Sequence, residues 1–90
     1  MIKAVVKFWG TQQGQYGMPD PYHSYLVVSS PWQTSGSGIA TILPLTTDAP
    51  LTQKHVPVLQ GGERGAFDDA IAALKREPKN AGLTSAVDED

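Results

Sequence analysis

The chain has 90 residues, with seven Lys and Arg against nine Asp and Glu for a net charge of −2, and it is 40% hydrophobic and 18% charged. That describes one domain with a small core. It is too apolar to be wholly disordered and lacks the basic excess with which a general nucleic-acid binder displaces phosphate counterions. Cysteine is absent, which excludes disulfides, thiolate zinc sites and cysteine nucleophiles.

Ile2 to Trp9 reads as a strand. Ile2, Ala4, Val6 and Phe8 fall on one face, the expected core side, and Lys3, Val5, Lys7 and Trp9 on the other. The segment is too short and too often interrupted by lysine for a signal peptide. Nothing further along has the apolar length to span a membrane, so the cytoplasm is the expected compartment. Residues 10–21 hold three glycines and two prolines in twelve positions and read as a loop. Tyr16 lies inside it and Tyr22 beside it.

Residues 22–47 carry two β-rich runs around a connection of Pro, Ser, Thr and Gly, the pattern of a hairpin with a long loop. Tyr25 to Val28 is rich in residues that pack well on a pleated surface. In the second run Ile39, Thr41, Leu43 and Leu45 share one face, and Ala40, Ile42 and Pro44 the other. Pro44 cannot donate to a ladder, so its strand is expected at a sheet edge or to break there. Gly36-Ser37-Gly38 reads as a flexible turn. Trp32 in the connection either folds back as a lid on the core or stands out as an aromatic anchor for a partner.

Residues 54–60 form a shorter run in which Pro57 again argues for an edge, closed by Gly61-Gly62. A helix is expected from about Ala66 to Arg76, because Phe67, Ala70, Ile71 and Leu74 make one apolar stripe. Asp68 and Asp69 are expected in its first turn and Lys75 and Arg76 in its last, matching the helix dipole. Pro78 ends it. Residues 79–90 close on Asp88-Glu89-Asp90, whose like charges predict a frayed, flexible acidic tail. The expected fold is therefore a single α+β domain over residues 1–78. It has a small antiparallel sheet of three to four strands and one C-terminal helix on a face. A partly closed barrel of SH3 type is the alternative.

Motifs that carry chemistry are scarce. His23 and His55 have no second ligand at metal spacing, and Asp20, Asp48 or Glu63 would have to converge on them from elsewhere. No serine lies in G-x-S-x-G, and Gly10 to Gly17 lacks the Gly-Lys-Ser/Thr ending of a P-loop. Gly61 to Gly65 could cradle an anion with help from Arg64, but Asp68 and Asp69 oppose a phosphate there, so a strand-to-helix turn is the better reading. No catalytic residue, metal or cofactor is expected.

Tyr22 to Ser29 and Leu43 to Thr47 resemble the paired strands of the small SH3-like toxins of the MazF/PemK and CcdB group. In that family a strand of the type R-P-V-L-V-L-S is followed by a variable loop and a strand ending near P-I-T-S. The resemblance implies a toxin acting on RNA or on a protein such as gyrase, a homodimer, and functional positions at His23 and Thr46. The family's catalytic Arg before the strand is replaced here by Tyr22 and His23. Read without the resemblance, the chain is expected to be a non-enzymatic protein-binding module, one form of which is an inhibitor that blocks a larger partner. Tyr16, Tyr22, Trp32 and Arg64 are the candidate partner-binding residues. A structural subunit of a larger, viral assembly is the remaining alternative.

Overall fold

The computed structural model describes residues 1–10, 23–32, 37–45, 54–58 and 61–90, without the side chains of 54–56. The elements run β1 (Ile2–Trp9), β2 (His23–Pro31), β3 (Gly38–Pro44), β4 (Lys54–Val58), α1 (Gly62–Arg76) and β5 (Thr84–Glu89). The strands form one sheet in the order β4-β3-β2-β1-β5, and every pairing is antiparallel. The fold is α+β, with five strands where three to four were expected. The sheet is open and not a barrel: β4 and β5 lie at opposite edges and do not pair. With α1 covering one face, the apolar side chains are buried without the sheet closing on itself.

Alternation along β1 puts Ala4, Val6 and Phe8 in the core and leaves Lys3 and Trp9 exposed. Tyr25 and Val27 of β2 and Ala40 and Ile42 of β3 continue the same face. Phe8 and Tyr25 meet edge to face, with centroids 6.0 Å apart and planes at 83°, the favoured arrangement of ring quadrupoles. From above, α1 contributes Ala66, Phe67, Ala70, Ile71 and Leu74. Ala40, Ala66 and Ala70 are fully buried, and these small side chains let the helix backbone approach the sheet closely. Each large core side chain is worth about 1.5–3 kcal/mol of burial.

The two prolines mark strand limits in different ways. β4 is an edge strand, as Pro57 predicted. β3 is internal, and Pro44 is its last residue, so there the proline ends the strand. Ser37 and Gly38 are buried, and Gly38 is the first residue of β3, which corrects the reading of these two as a flexible turn.

The helix begins four residues earlier than its apolar stripe suggested. Gly61 and Gly62 take φ of 89° and 59°, left-handed values that glycine adopts without strain. The buried Ser29 hydroxyl donates to the Glu63 carbonyl at 2.7 Å and ties the first turn to the sheet. Glu63 is thus the acidic residue of the first turn, where it meets the N-terminal amine at 3.1 Å. Asp68 and Asp69 fall further along the helix, and Lys75 and Arg76 hold the last turn as expected.

Residues 84–89 are a strand, not the frayed tail expected from their charge. β5 pairs with β1 from Ala4↔Glu89 to Trp9↔Thr84. The repulsion among its carboxylates is relieved by cations from elsewhere in the chain: Lys7 lies 3.5 Å from Asp88 and Arg64 3.0 Å from Glu89. Among the described residues no helix is long and apolar enough to cross a membrane.

Candidate functional site

The helix packs mainly over β3, β2 and β4 and only slightly on β1. β5 lies outside that footprint, so an open cleft of about 350 Å³ is left between α1 and β5. Its apolar lining is Phe67, Ile71 and Ala72 from the helix and Val87 from the strand. Val87 is 38% exposed. Charged groups ring it: Arg64, Asp68 and Lys75 on the helix side and Glu89 on the strand side.

Arg64 organises one end of this cleft. Its Nη1 donates to Glu89 Oε1 at 3.0 Å, and its Nε lies 3.4 Å from Asp68 Oδ1. The guanidinium sits 5.2 Å from the centroid of the Phe67 ring, a cation–π distance. Arg64 therefore bridges the two walls and covers part of the apolar floor. These pairs are solvent-exposed, so each is worth about 0–1 kcal/mol and can be exchanged for contacts to a partner. Lys75 stands three helical turns away, about 16 Å along the axis, as the cation of the other end.

β5 is also the sheet edge. Among the described residues no strand pairs with its outer side. The cleft and a row of backbone donors and acceptors thus run side by side.

Other polar groups lie on the helix face of β2 and just beyond the C-terminal end of α1. His23 lies on the helix face of β2, opposite Phe8 and two residues before Tyr25. Lys79, just beyond the helix, places its Nζ 5.3 Å from the centroid of the Tyr25 ring. Asn80 donates through Nδ2 to the Leu74 carbonyl at 3.0 Å, closing the last turn of α1.

The expected site residues are scattered over the molecule. Arg64 is in the cleft. Trp32 is 44% exposed just beyond β2, with its amide donating to the Ser37 carbonyl at 3.1 Å, and does not close over the core. His23 is only 8% exposed. Tyr16, Tyr22 and Thr46 lie outside the described residues, as do Asp20 and Asp48. His55 is in β4 at the register position of Thr41. Among the described residues no group of three or more His, Asp or Glu could hold a metal ion. Sequence reasoning missed Val87, Lys79 and Asn80 because the acidic end of the chain concealed them in a supposed tail. The sequence carried no period-two signal for this strand, because in Thr84–Glu89 the apolar Ala86 and Val87 are adjacent and polar residues flank them on both sides. Comparison of the chain with protein-family models, with curated proteins and with solved structures finds no match.

Proposed function

We propose that the chain is a non-enzymatic protein-binding module that holds an extended segment of a partner along the outer edge of β5. The observation that carries this reading is the cleft between α1 and a strand edge that is unpaired among the described residues. A segment added to an edge gains main-chain hydrogen bonds, and every second side chain of it points to one face. On the helix side those side chains meet Phe67, Ile71 and Val87, so the segment is apolar at alternate positions. Asp88, Glu89 and Asp90 favour basic residues at the end of the segment that lies beside them. An inhibitor is one form of such a module, occupying a segment that the partner uses for something else.

The test is capture of a partner by the intact chain, compared with two variants. Val87→Arg fills the cleft with a charge at a position already 38% exposed, so the fold survives, and circular dichroism checks that it does. Trp32→Ala removes the exposed tryptophan of the β2–β3 connection. A stoichiometric complex that weakens at least about tenfold with Val87→Arg and persists with Trp32→Ala supports the reading. Unchanged binding by Val87→Arg sinks the cleft, and loss with Trp32→Ala alone moves the interface to the hairpin loop.

A further inference from the structure

We propose that the outer edge of β5 is also where two copies of this chain pair, strand against antiparallel strand, about a twofold axis centred on Val87. The direction of the backbone groups follows from the ladder to β1. The Asp90 amide donates to the Lys3 carbonyl at 2.9 Å, which extends the pairing of Ala4 with Glu89 by one residue. Bonded and non-bonded pairs alternate along an antiparallel ladder. Thr84, Ala86 and Asp88 therefore turn their amides and carbonyls to β1, and Ser85, Val87 and Glu89 turn theirs outward. A twofold axis at Val87 sets Val87 against the second copy's Val87, and Ser85 against its Glu89. Every residue bonded in this way is one whose backbone groups already face outward, and about six main-chain hydrogen bonds close.

The charges select this register and this occupant. Asp88 comes opposite the second copy's Ala86, and Asp90 opposite its Thr84, so no carboxylate directly faces another. An axis at Asp88 would oppose that residue to itself, at a cost in stability. α1 and β5 run in opposite directions along the cleft, with Arg64 at Glu89 and Lys75 at the far end. The second copy's Glu89 comes beside Ser85, at the Lys75 end, and the twofold axis makes this approach twice. Lys75 pairs with no carboxylate among the described residues. β4, the opposite edge of the sheet, carries Pro57, which has no amide to donate, whereas β5 has no proline. On the helix face the second β5 offers Val87 as its one apolar residue, between Ser85 and Glu89. It meets Phe67 and Ile71 less well than the partner segment proposed above, so self-pairing is the state of the edge without a partner, and the partner displaces it.

The experiment is sedimentation equilibrium of the intact chain at increasing concentration. One strand pair is a smaller interface than those of stable dimers, so a dimer with a dissociation constant on the order of 100 µM is expected. Val87→Pro removes the outward amide at the centre and leaves the bonds to β1, since proline is tolerated on a strand edge with that side to solvent. It is expected to weaken the dimer at least about tenfold, and circular dichroism checks the fold. Should that variant fail to fold, Lys75→Glu on the exposed helix surface is expected to weaken the dimer about threefold or more. Register is read separately. The chain has no cysteine, so Val87→Cys under a mild oxidant is expected to form a disulfide dimer, the two Cα atoms lying about 5.5 Å apart. Thr84→Cys is expected not to, because the two copies of that residue lie about 20 Å apart. A chain still monomeric at about ten times that constant, an unchanged dimer in folded Val87→Pro, an unchanged dimer in Lys75→Glu, or equal crosslinking at both cysteines would each overturn the proposal. Capture of a foreign partner is a separate measurement, so a monomeric chain overturns self-pairing and leaves the partner reading to its own test.

Discussion

Gly38 and Ser29 set the place where α1 meets the sheet. A Cβ built on Gly38 would lie 2.2 Å from the Gly62 carbonyl oxygen and 2.7 Å from Glu63 Cα. Both obstacles are backbone, so neither can swing aside as a side chain would. Gly38→Ala is expected to push the first helical turn off the sheet and cost about 2–3 kcal/mol, read as a fall in the urea midpoint. Ser29→Ala removes the 2.7 Å bond to the Glu63 carbonyl and is expected to cost about 1–2 kcal/mol by the same measurement. The two positions differ in how visible they are. The alternation that places Ser29 on the core face can be read along β2, but its partner lies 34 residues away. Gly38 in Gly36-Ser37-Gly38 looks like any turn glycine until the helix is seen resting on it.

At the scale of the element, β5 decides how β1 is protected. Without β5, β1 would be an edge carrying Val5 and Trp9 on its outer face, a template for pairing with other chains. Removing residues 84–90 is expected to lower the thermal midpoint and to produce light-scattering aggregates at protein concentrations where the intact chain scatters little. Equal solubility and an unchanged midpoint would show that β5 contributes no protection. Its ion pairs matter less than its ladder. Glu89→Gln breaks the exposed bond to Arg64 and is expected to change stability by less than about 1 kcal/mol. The helix was legible as an element because its period, terminal cations and following Pro78 agree. Its start was not, because two glycines argue against helix by propensity and contacts with distant groups, the Ser29 hydroxyl and the N-terminal amine, hold that turn in place.

At the scale of the molecule, the order β4-β3-β2-β1-β5 joins near neighbours in sequence on one side and the two ends of the chain on the other. The β2–β3 pairing closes over a short connection, whereas Ala4 must find Glu89 across almost the whole sequence. Closing the longer loop costs more entropy before any contact is gained. Ala86→Gly in β5 is therefore expected to speed unfolding and leave the folding rate nearly unchanged, while Val27→Ala in β2 slows folding. Stopped-flow chevrons distinguish the two, and a folding rate that falls equally for both would reject this order. The position of α1 over β2 to β4 also creates the cleft against β5, so the candidate interface is a consequence of topology and not of any one element.

What the sequence by itself determined is the set of local periodic signals. The two-residue alternation of β1, the paired runs of β2 and β3, the edge proline of β4 and the apolar stripe of α1 all arise from neighbours within a few positions, where side-chain direction follows backbone geometry. Only the tertiary structure decided the fifth strand, the open sheet, the cleft at Val87 and the placing of Lys79 over the Tyr25 ring. Each of these depends on groups far apart in the chain. The ladder with β1 turns an acidic tail into a strand, and the turn after α1 carries a lysine back over β2, because packing energy is set by which surfaces meet in space and one chain's order does not state that.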